Sequence, residues 1–340
     1  MFYRFIRSVL FKFDAEKSHN ISLKTLKLLN SVGLLNLFFK SSIESPVNVM
    51  GLQFRNRVGL AAGLDKNGNY IDALSKAGFG FIEVGTVTPK AQPGNEKPRL
   101  FRLPESNAII NRMGFNNDGV ESLVKAVKKS KYKGILGINI GKNISTDVEN
   151  AVDDYLICFE KIYDIADYVT VNISSPNTPG LRSLQHGDAL FNLLTEMKAK
   201  QSQLQLIHKR YVPIAVKIAP DLSEIEINEL ADTFIKTKVD AVIATNTTFS
   251  REGVENLRYA NEQGGLSGSP VKSASTHVVK RLCDIFNGKI PVIAAGGIMS
   301  AGDAIEKINA GADLVQIYSG FIYKGPGLIY ECARALSKEN

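Results

Sequence analysis

The segment Asn172-Ile173-Ser174-Ser175-Pro176-Asn177-Thr178-Pro179-Gly180 holds a serine pair in a loop stiffened by two prolines. A serine hydroxyl removes a proton only if it can hand its own on, and no His or Asp stands nearby in a triad-like arrangement. On spacing alone Ser175 reads as a helix cap. Asn139, Asn172, Lys217 and Asn246 recur at the ends of apolar, β-rich runs, where few carboxylates and no histidines join them. That inventory argues against a metal site, which wants His and Asp/Glu ligands, and against a glycosidase pair of carboxylates. It suits a flat heterocycle. An asparagine side chain is both donor and acceptor, so several converging can read the alternating N–H and C=O groups of a pyrimidine-dione or an isoalloxazine. Lys66 and Lys217 supply positive charge. Taken singly each asparagine is a turn or a cap, and only the set favours a site. Lys217 at a strand end also leaves open an imine-forming aldolase.

Glycines form a second constellation. Ala295-Gly296-Gly297-Ile298 and Tyr318-Ser319-Gly320 follow the last two apolar runs, where barrels of eight βα units hold a phosphate on backbone amides. Their pairing favours an anion site over two tight turns. Gly264-Gly265-Leu266-Ser267-Gly268 lies just before them and could add donors.

The elements that must position these groups are short apolar runs alternating with helical patterns. They are 57–61, 81–87, 135–140, 168–173, 214–218, 241–245, 291–295 and 314–318, which predicts an α/β protein with a closed (β/α)8 TIM barrel. Two connections are long. Residues 88–134 carry Pro89, Pro93, Gly94, Pro98 and Pro104 around two short apolar runs, which predicts an antiparallel excursion above the barrel; residues 246–290 could hold a hairpin or lid.

The first 40 residues differ from the rest. Phe2, Phe5, Ile6, Val9, Leu10 and Phe13 recur at helical spacing with Arg4, Arg7 and Lys12 opposite, and a second helical pattern runs from about Ala15 to Leu35. The pair reads equally as a cap on the bottom of the barrel or as an interfacial anchor, and no apolar stretch is long enough to span a bilayer. The division expected is 1–40 for this extension and 41–340 for the barrel. Every residue considered for chemistry lies beyond Ala61.

The formal net charge of +7 fits nucleic acid, an anionic membrane surface or small anionic ligands. The densest basic run, Lys125 to Lys133, is interleaved with Val127 and Tyr132 as on the solvated face of a helix, so nucleic acid is not expected. Cys158, Cys283 and Cys332 are far apart and suggest neither disulfide nor zinc.

The residues also carry a resemblance. Ala61-Ala62-Gly63-Leu64-Asp65-Lys66-Asn67-Gly68, Glu83-Val84-Gly85-Thr86-Val87-Thr88-Pro89, Asn111-Arg112-Met113-Gly114-Phe115-Asn116-Asn117, the Ser175 loop, Lys217-Ile218-Ala219-Pro220-Asp221 and Ala244-Thr245-Asn246-Thr247-Thr248 resemble the dihydroorotate dehydrogenase family along essentially the whole chain. The resemblance implies FMN held by Ala62, Gly63, Leu64, Asp65, Lys66, Thr86, Asn139, Asn172, Lys217, Thr245, Gly268, Gly297, Tyr318 and Ser319. It implies dihydroorotate held by Lys66, Asn111, Arg112, Met113, Gly114, Phe115, Asn172, Asn177, Asn246 and Thr247, with Ser175 as the base at C5. Related soluble enzymes carry Cys in place of Ser175 and lack the N-terminal helices, so Ser175 with Phe2–Leu35 implies the quinone-reducing class. Its helices form a tunnel from the bilayer to the flavin. The expected partners are dihydroorotate, a membrane quinone and an anionic membrane surface, for a monomer on the cytoplasmic face of the cell membrane. Ser175 counts against a dihydropyrimidine dehydrogenase domain or a dihydrouridine synthase, both expected to use cysteine.

Overall fold

The computed structural model describes residues 2–39 and 42–338, with the backbone alone for Phe2, Asn36 and Leu37. The expected boundary between residues 40 and 41 lies outside the described residues. The chain opens on helices α1 (Phe2–Leu10), α2 (Ala15–Ser31) and α3 (Leu35–Phe38). Asp14 starts α2 by accepting from the Lys17 amide at 2.9 Å. A hairpin of β1 (Val47–Val49) and β2 (Leu52–Phe54) follows. Its turn holds Met50 and Gly51 at φ 55° and 75°, the left-handed values that match the twist of a two-residue hairpin.

Next come β3 (Val58–Leu60) and β4 (Phe81–Val87), then an antiparallel pair, β5 (Leu100–Leu103) and β6 (Ala108–Asn111). The chain continues through β7 (Ile135–Ile140), β8 (Tyr168–Asn172), β9 (Ile214–Ile218) and β10 (Ala241–Ala244). After β11 (Gly265–Gly268), which joins β6, come β12 (Val292–Ala295) and β13 (Leu314–Ile317). Strands β3, β4, β7, β8, β9, β10, β12 and β13 pair in parallel and close on themselves, making a (β/α)8 TIM barrel. These strands are buried on both faces, which is why each reads as an unbroken Val/Ile-rich run.

The barrel interior is layered, because inward residues alternate along each strand. At the bottom Phe81, Tyr168, Ala215, Ala241, Ile293 and Leu314 pack together, and Phe54 of the hairpin plugs them, edge-on to Phe81 at 5.0 Å. Gly59 makes room for the Phe81 ring: a Cβ there would lie 2.2 Å from it. The hairpin, not the helical pair, therefore caps the bottom.

The helical pair sits at the opposite end. α1 packs on the helix Ser319–Lys324 that leaves the eighth barrel strand: Tyr3 donates to the Ile322 carbonyl at 2.7 Å and Arg7 to the Tyr323 carbonyl at 2.7 Å. α2 packs on β5 and on the helix Ile71–Leu74. The excursion above the barrel is a three-stranded sheet ordered β11-β6-β5, drawing one strand from the second long connection. Among the described residues no helix is long and apolar enough to cross a membrane.

Candidate active site

The site begins one layer above the aromatic floor. Glu83, fully buried on β4, accepts from Tyr168 Oη at 2.8 Å, Thr170 Oγ1 at 3.1 Å, Gln316 Nε2 at 2.7 Å and Asn139 Nδ2 at 2.9 Å. Every donor comes from another strand, so the carboxylate ties the barrel together across its middle. Burial pushes the Lys217 ammonium down and Glu83 pulls it back up. The ammonium donates to no protein atom among the described contacts.

Asn139 and Asn172 form the next layer. Asn139 Oδ1 accepts from Thr86 Oγ1 at 2.6 Å and from Asn172 Nδ2 at 3.1 Å, while Asn246 Nδ2 donates to Ser174 Oγ at 3.0 Å. Thr86 reaches this layer because the register of β4 on β7 slips between Gly85 and Val87. Gly85 has φ 101°, and a Cβ there would sit 2.3 Å from the Asn139 carbonyl oxygen.

Above these groups opens a cavity. Its wall holds Ala62, Gly63 and Lys66 after β3; Thr86; Asn111 at the end of β6 with Met113, Gly114 and Phe115 after it; Asn172 at the end of β8 with Ser175 and Asn177 after it; Lys217; and Thr245, Asn246 and Thr247 after β10. Gly268, Gly297, Tyr318 and Ser319 line its far end. Four sequence-derived residues lie off the wall. Leu64 is in the core, and Asp65 is buried where it accepts from the Asn69 and Tyr70 amides at 3.0 and 2.7 Å, shaping the loop. Asn139 stands behind Thr86 and Asn172. Arg112 points the other way, to Glu262 at 2.7 Å and over the Phe101 ring, because the side chains of β6 alternate on leaving Asn111. The sequence reading gave no site role to Glu83, Ser267, Ile298 and Gln316, whose signal is only positional: each lies within three residues of a group it found.

The polar atoms of the wall test the fit of a phosphate-bearing flavin. Lys66 and Lys217 have no protein hydrogen bond among the described contacts, and Thr247 Oγ1 and Gln316 Oε1 are buried without a partner. Such groups are costly unless a ligand satisfies them. At the far end the loops after the seventh and eighth barrel strands meet: a Cβ on Gly320 would lie 2.1 Å from the Ile298 carbonyl oxygen. Gly297, at φ 77°, lets the chain turn tightly against Lys272. Tyr318 places no side chain on the first amides of the helix Ser319–Lys324, leaving them open to an anion. The residues present fit FMN: lysines and amides for its ring, glycine-flanked amides for its phosphate.

Ser175 is 6% exposed, and its Oγ accepts from the Asn177 amide at 3.3 Å. Lys66 is lowered to about 8 by burial and by Arg99, against the pull of Glu16 and Asp65. His19 of α2, lowered to about 4 by burial and then by Lys66, stays neutral at ordinary pH.

Residues 45–339 match the family described as dihydroorotate dehydrogenase. The chain belongs to the dihydroorotate dehydrogenase family. Among its members, dihydroorotate dehydrogenase (quinone) of Pseudomonas fluorescens is 59% identical over 98% of this chain and 99% of its own. The protein of the same name from Vibrio parahaemolyticus is 57% identical over 99% of this chain and 100% of its own. Among solved structures, DHODH from Eimeria tenella in complex with ferulenol is 37% identical, with a TM-score of 0.86 over 95% of this chain and 90% of that one. Each of these bacterial relatives covers 98% or more of this chain, too much for the alignment to leave out the N-terminal helices.

Proposed function

We propose that the chain oxidises dihydroorotate to orotate in pyrimidine biosynthesis, with FMN in the cavity and a membrane quinone as final acceptor. The supporting observation is one cavity that gathers Ser175, Lys66, Lys217 and asparagines from several strand ends beside the glycine-flanked loops of the seventh and eighth barrel strands. FMN, when bound, supplies the acceptor for the C6 hydride and passes two electrons on to the quinone. Gly268, Gly297, Tyr318 and Ser319 hold its phosphate, and Ala62, Gly63, Thr86 and Thr245 lie along its ring, with Leu64, Asp65 and Asn139 supporting that wall from behind.

Lys66 pairs with the substrate carboxylate. Asn111, Asn172, Asn177 and Asn246, with Thr247, read the ring's amide groups, while Met113, Gly114 and Phe115 close over it. Arg112 shapes this loop from outside the cavity through Glu262. Ser175 takes the C5 proton as its own hydroxyl proton passes to solvent water, and its Oγ accepts from the Asn177 amide. Lys217 stabilises negative charge that gathers at the ring edge nearest it, a role for a preorganised cation in a dry site.

Phe5, Val9 and Phe13 on the outer side of the N-terminal segment are 69%, 42% and 55% exposed, and Ile21 and Leu28 of α2, with Val32 just past its end, are exposed too. Such a face suits a peripheral protein on the anionic, cytoplasmic face of the cell membrane, acting as a monomer that meets its quinone there. The test is the absorption spectrum of the purified protein under anaerobic conditions. Flavin bands that bleach on adding dihydroorotate are expected. A flavin-free folded protein, or bands unmoved by dihydroorotate, would sink the proposal, and borohydride trapping at Lys217 would then favour the aldolase.

A further inference from the structure

α2 is exposed and apolar on one side, but its other side reaches into the machinery above the barrel. Glu16, in its first turn, grips Arg99 with both oxygens, Nε to Oε2 at 3.1 Å and Nη2 to Oε1 at 2.8 Å. The two side chains are only 10% and 7% exposed. A glutamate at a helix start is ordinarily a solvated complement to the helix dipole. This one is withdrawn from water, and desolvated charges persist only where geometry and further hydrogen bonds compensate. Burial would raise the Glu16 carboxyl, but Arg99 and Lys97 outweigh it and hold it below the usual range.

The rest of the guanidinium shows what the pair holds. Arg99 Nη1 donates to the carbonyls of Pro93 and Asn95, both at 2.7 Å. Between them Gly94 leaves no room for a side chain, since a Cβ would lie 2.2 Å from the Met113 carbonyl oxygen. Asn95 Nδ2 donates to the Arg112 carbonyl at 3.0 Å and to the Asn177 carbonyl at 3.4 Å. Asn177 in turn donates to Asn111 Oδ1 at 3.3 Å and, from its amide, to Ser175 Oγ at 3.3 Å. An unbroken run of contacts thus leads from Glu16 through Arg99, Asn95 and Asn177 to Ser175.

We propose that Glu16 and Arg99 are positioning residues for the substrate half of the reaction: the pair fixes the Asn95 loop, and through it Asn111 and Asn177 against dihydroorotate. This rests on the reading of the cavity as a dihydroorotate site. Although every residue of the cavity wall lies from Ala61 onward, α2 is then part of that site and not a detachable anchor. Deleting the helices strands the Arg99 charge, so truncation removes two functions at once.

The test uses full-length, FMN-loaded protein with a soluble dye as acceptor, so that quinone docking drops out. Glu16→Gln is expected to raise KM for dihydroorotate and Kd for orotate tenfold or more while kcat falls less, with FMN content unchanged and Glu16→Asp restoring part of the loss. The pH above which orotate binding weakens should also move down. His19 and Asp65 still face Lys66, but Arg99 then acts on it without Glu16 to oppose it. Asn95→Ala, which buries no unpaired charge, should show the same rise in KM and serves where Glu16→Gln does not fold. Wild-type KM and Kd in folded Glu16→Gln, or in Asn95→Ala, would overturn the proposal. An intact protein whose flavin dihydroorotate does not bleach fails earlier, at the substrate assignment.

Discussion

The Tyr168 hydroxyl donates to Glu83 Oε2 at 2.8 Å inside the closed barrel, between the aromatic floor and the cavity. Because Thr170 and Gln316 donate to the same oxygen and Asn139 Nδ2 donates to the other, a neutral amide sets donor against donor whichever way it is turned. Glu83→Gln should therefore destabilise the fold by about 3 kcal/mol in denaturant unfolding. It should also loosen FMN, since Lys217 loses the charge that supports its ammonium. Unchanged stability would mean that the interior network tolerates an amide.

Ser175→Ala should keep FMN and bind orotate, yet slow flavin reduction by dihydroorotate about 10²-fold or more, a typical general-base effect. Ser175→Cys should recover part of the rate as pH rises, because a thiol of pKa about 8.5 then supplies a thiolate. Stopped-flow absorbance measures both. Reduction of Ser175→Ala at the normal rate would assign the C5 proton to another group.

Lys66 gives a pH signature. Its ammonium, lowered to about 8, is the form that pairs with a carboxylate, so orotate affinity should be level below that pH and fall as pH rises through it. Beyond that point the loss should approach about tenfold per pH unit, and in Lys66→Met the affinity should be weak and flat across the same range. Spectral titration of orotate distinguishes the two curves. A wild-type affinity that is constant from pH 6 to about pH 10 contradicts the assignment.

The outer face of α1 and of the turn that follows it can be tested without disturbing Glu16. Replacing Phe5, Val9 and Phe13 by serine removes exposed side chains worth about 2 kcal/mol each when buried in lipid. Vesicle binding and turnover with a long-tailed quinone should collapse while dye-coupled turnover persists. Wild-type protein should prefer anionic to neutral vesicles and release partly as salt rises. Long-tailed quinone turnover unaffected by the triple change would place the quinone's approach elsewhere.

Much of this protein is written locally. A parallel strand buried on both faces needs a continuous Val/Ile run, so all eight barrel strands stand out in the sequence, and glycines at the last two strand ends mark where the backbone must approach an anion. Chain closure decided the rest. Nothing local in Phe-Ile-Glu-Val says what Glu83 does, and only a closed barrel turns that face inward onto donors up to 233 residues away. The hairpin Val47–Phe54 is too short for its alternation to register, yet Phe54 plugs the floor because its ring fits against Phe81. Arg112 sits in the middle of a site motif but leaves the cavity because strand side chains alternate. Glu16 meets Arg99 from 83 residues away. The sequence could carry the residue types of a site, since these depend on chemistry, but not which charges lose their water, since that depends on what the folded chain stacks around them.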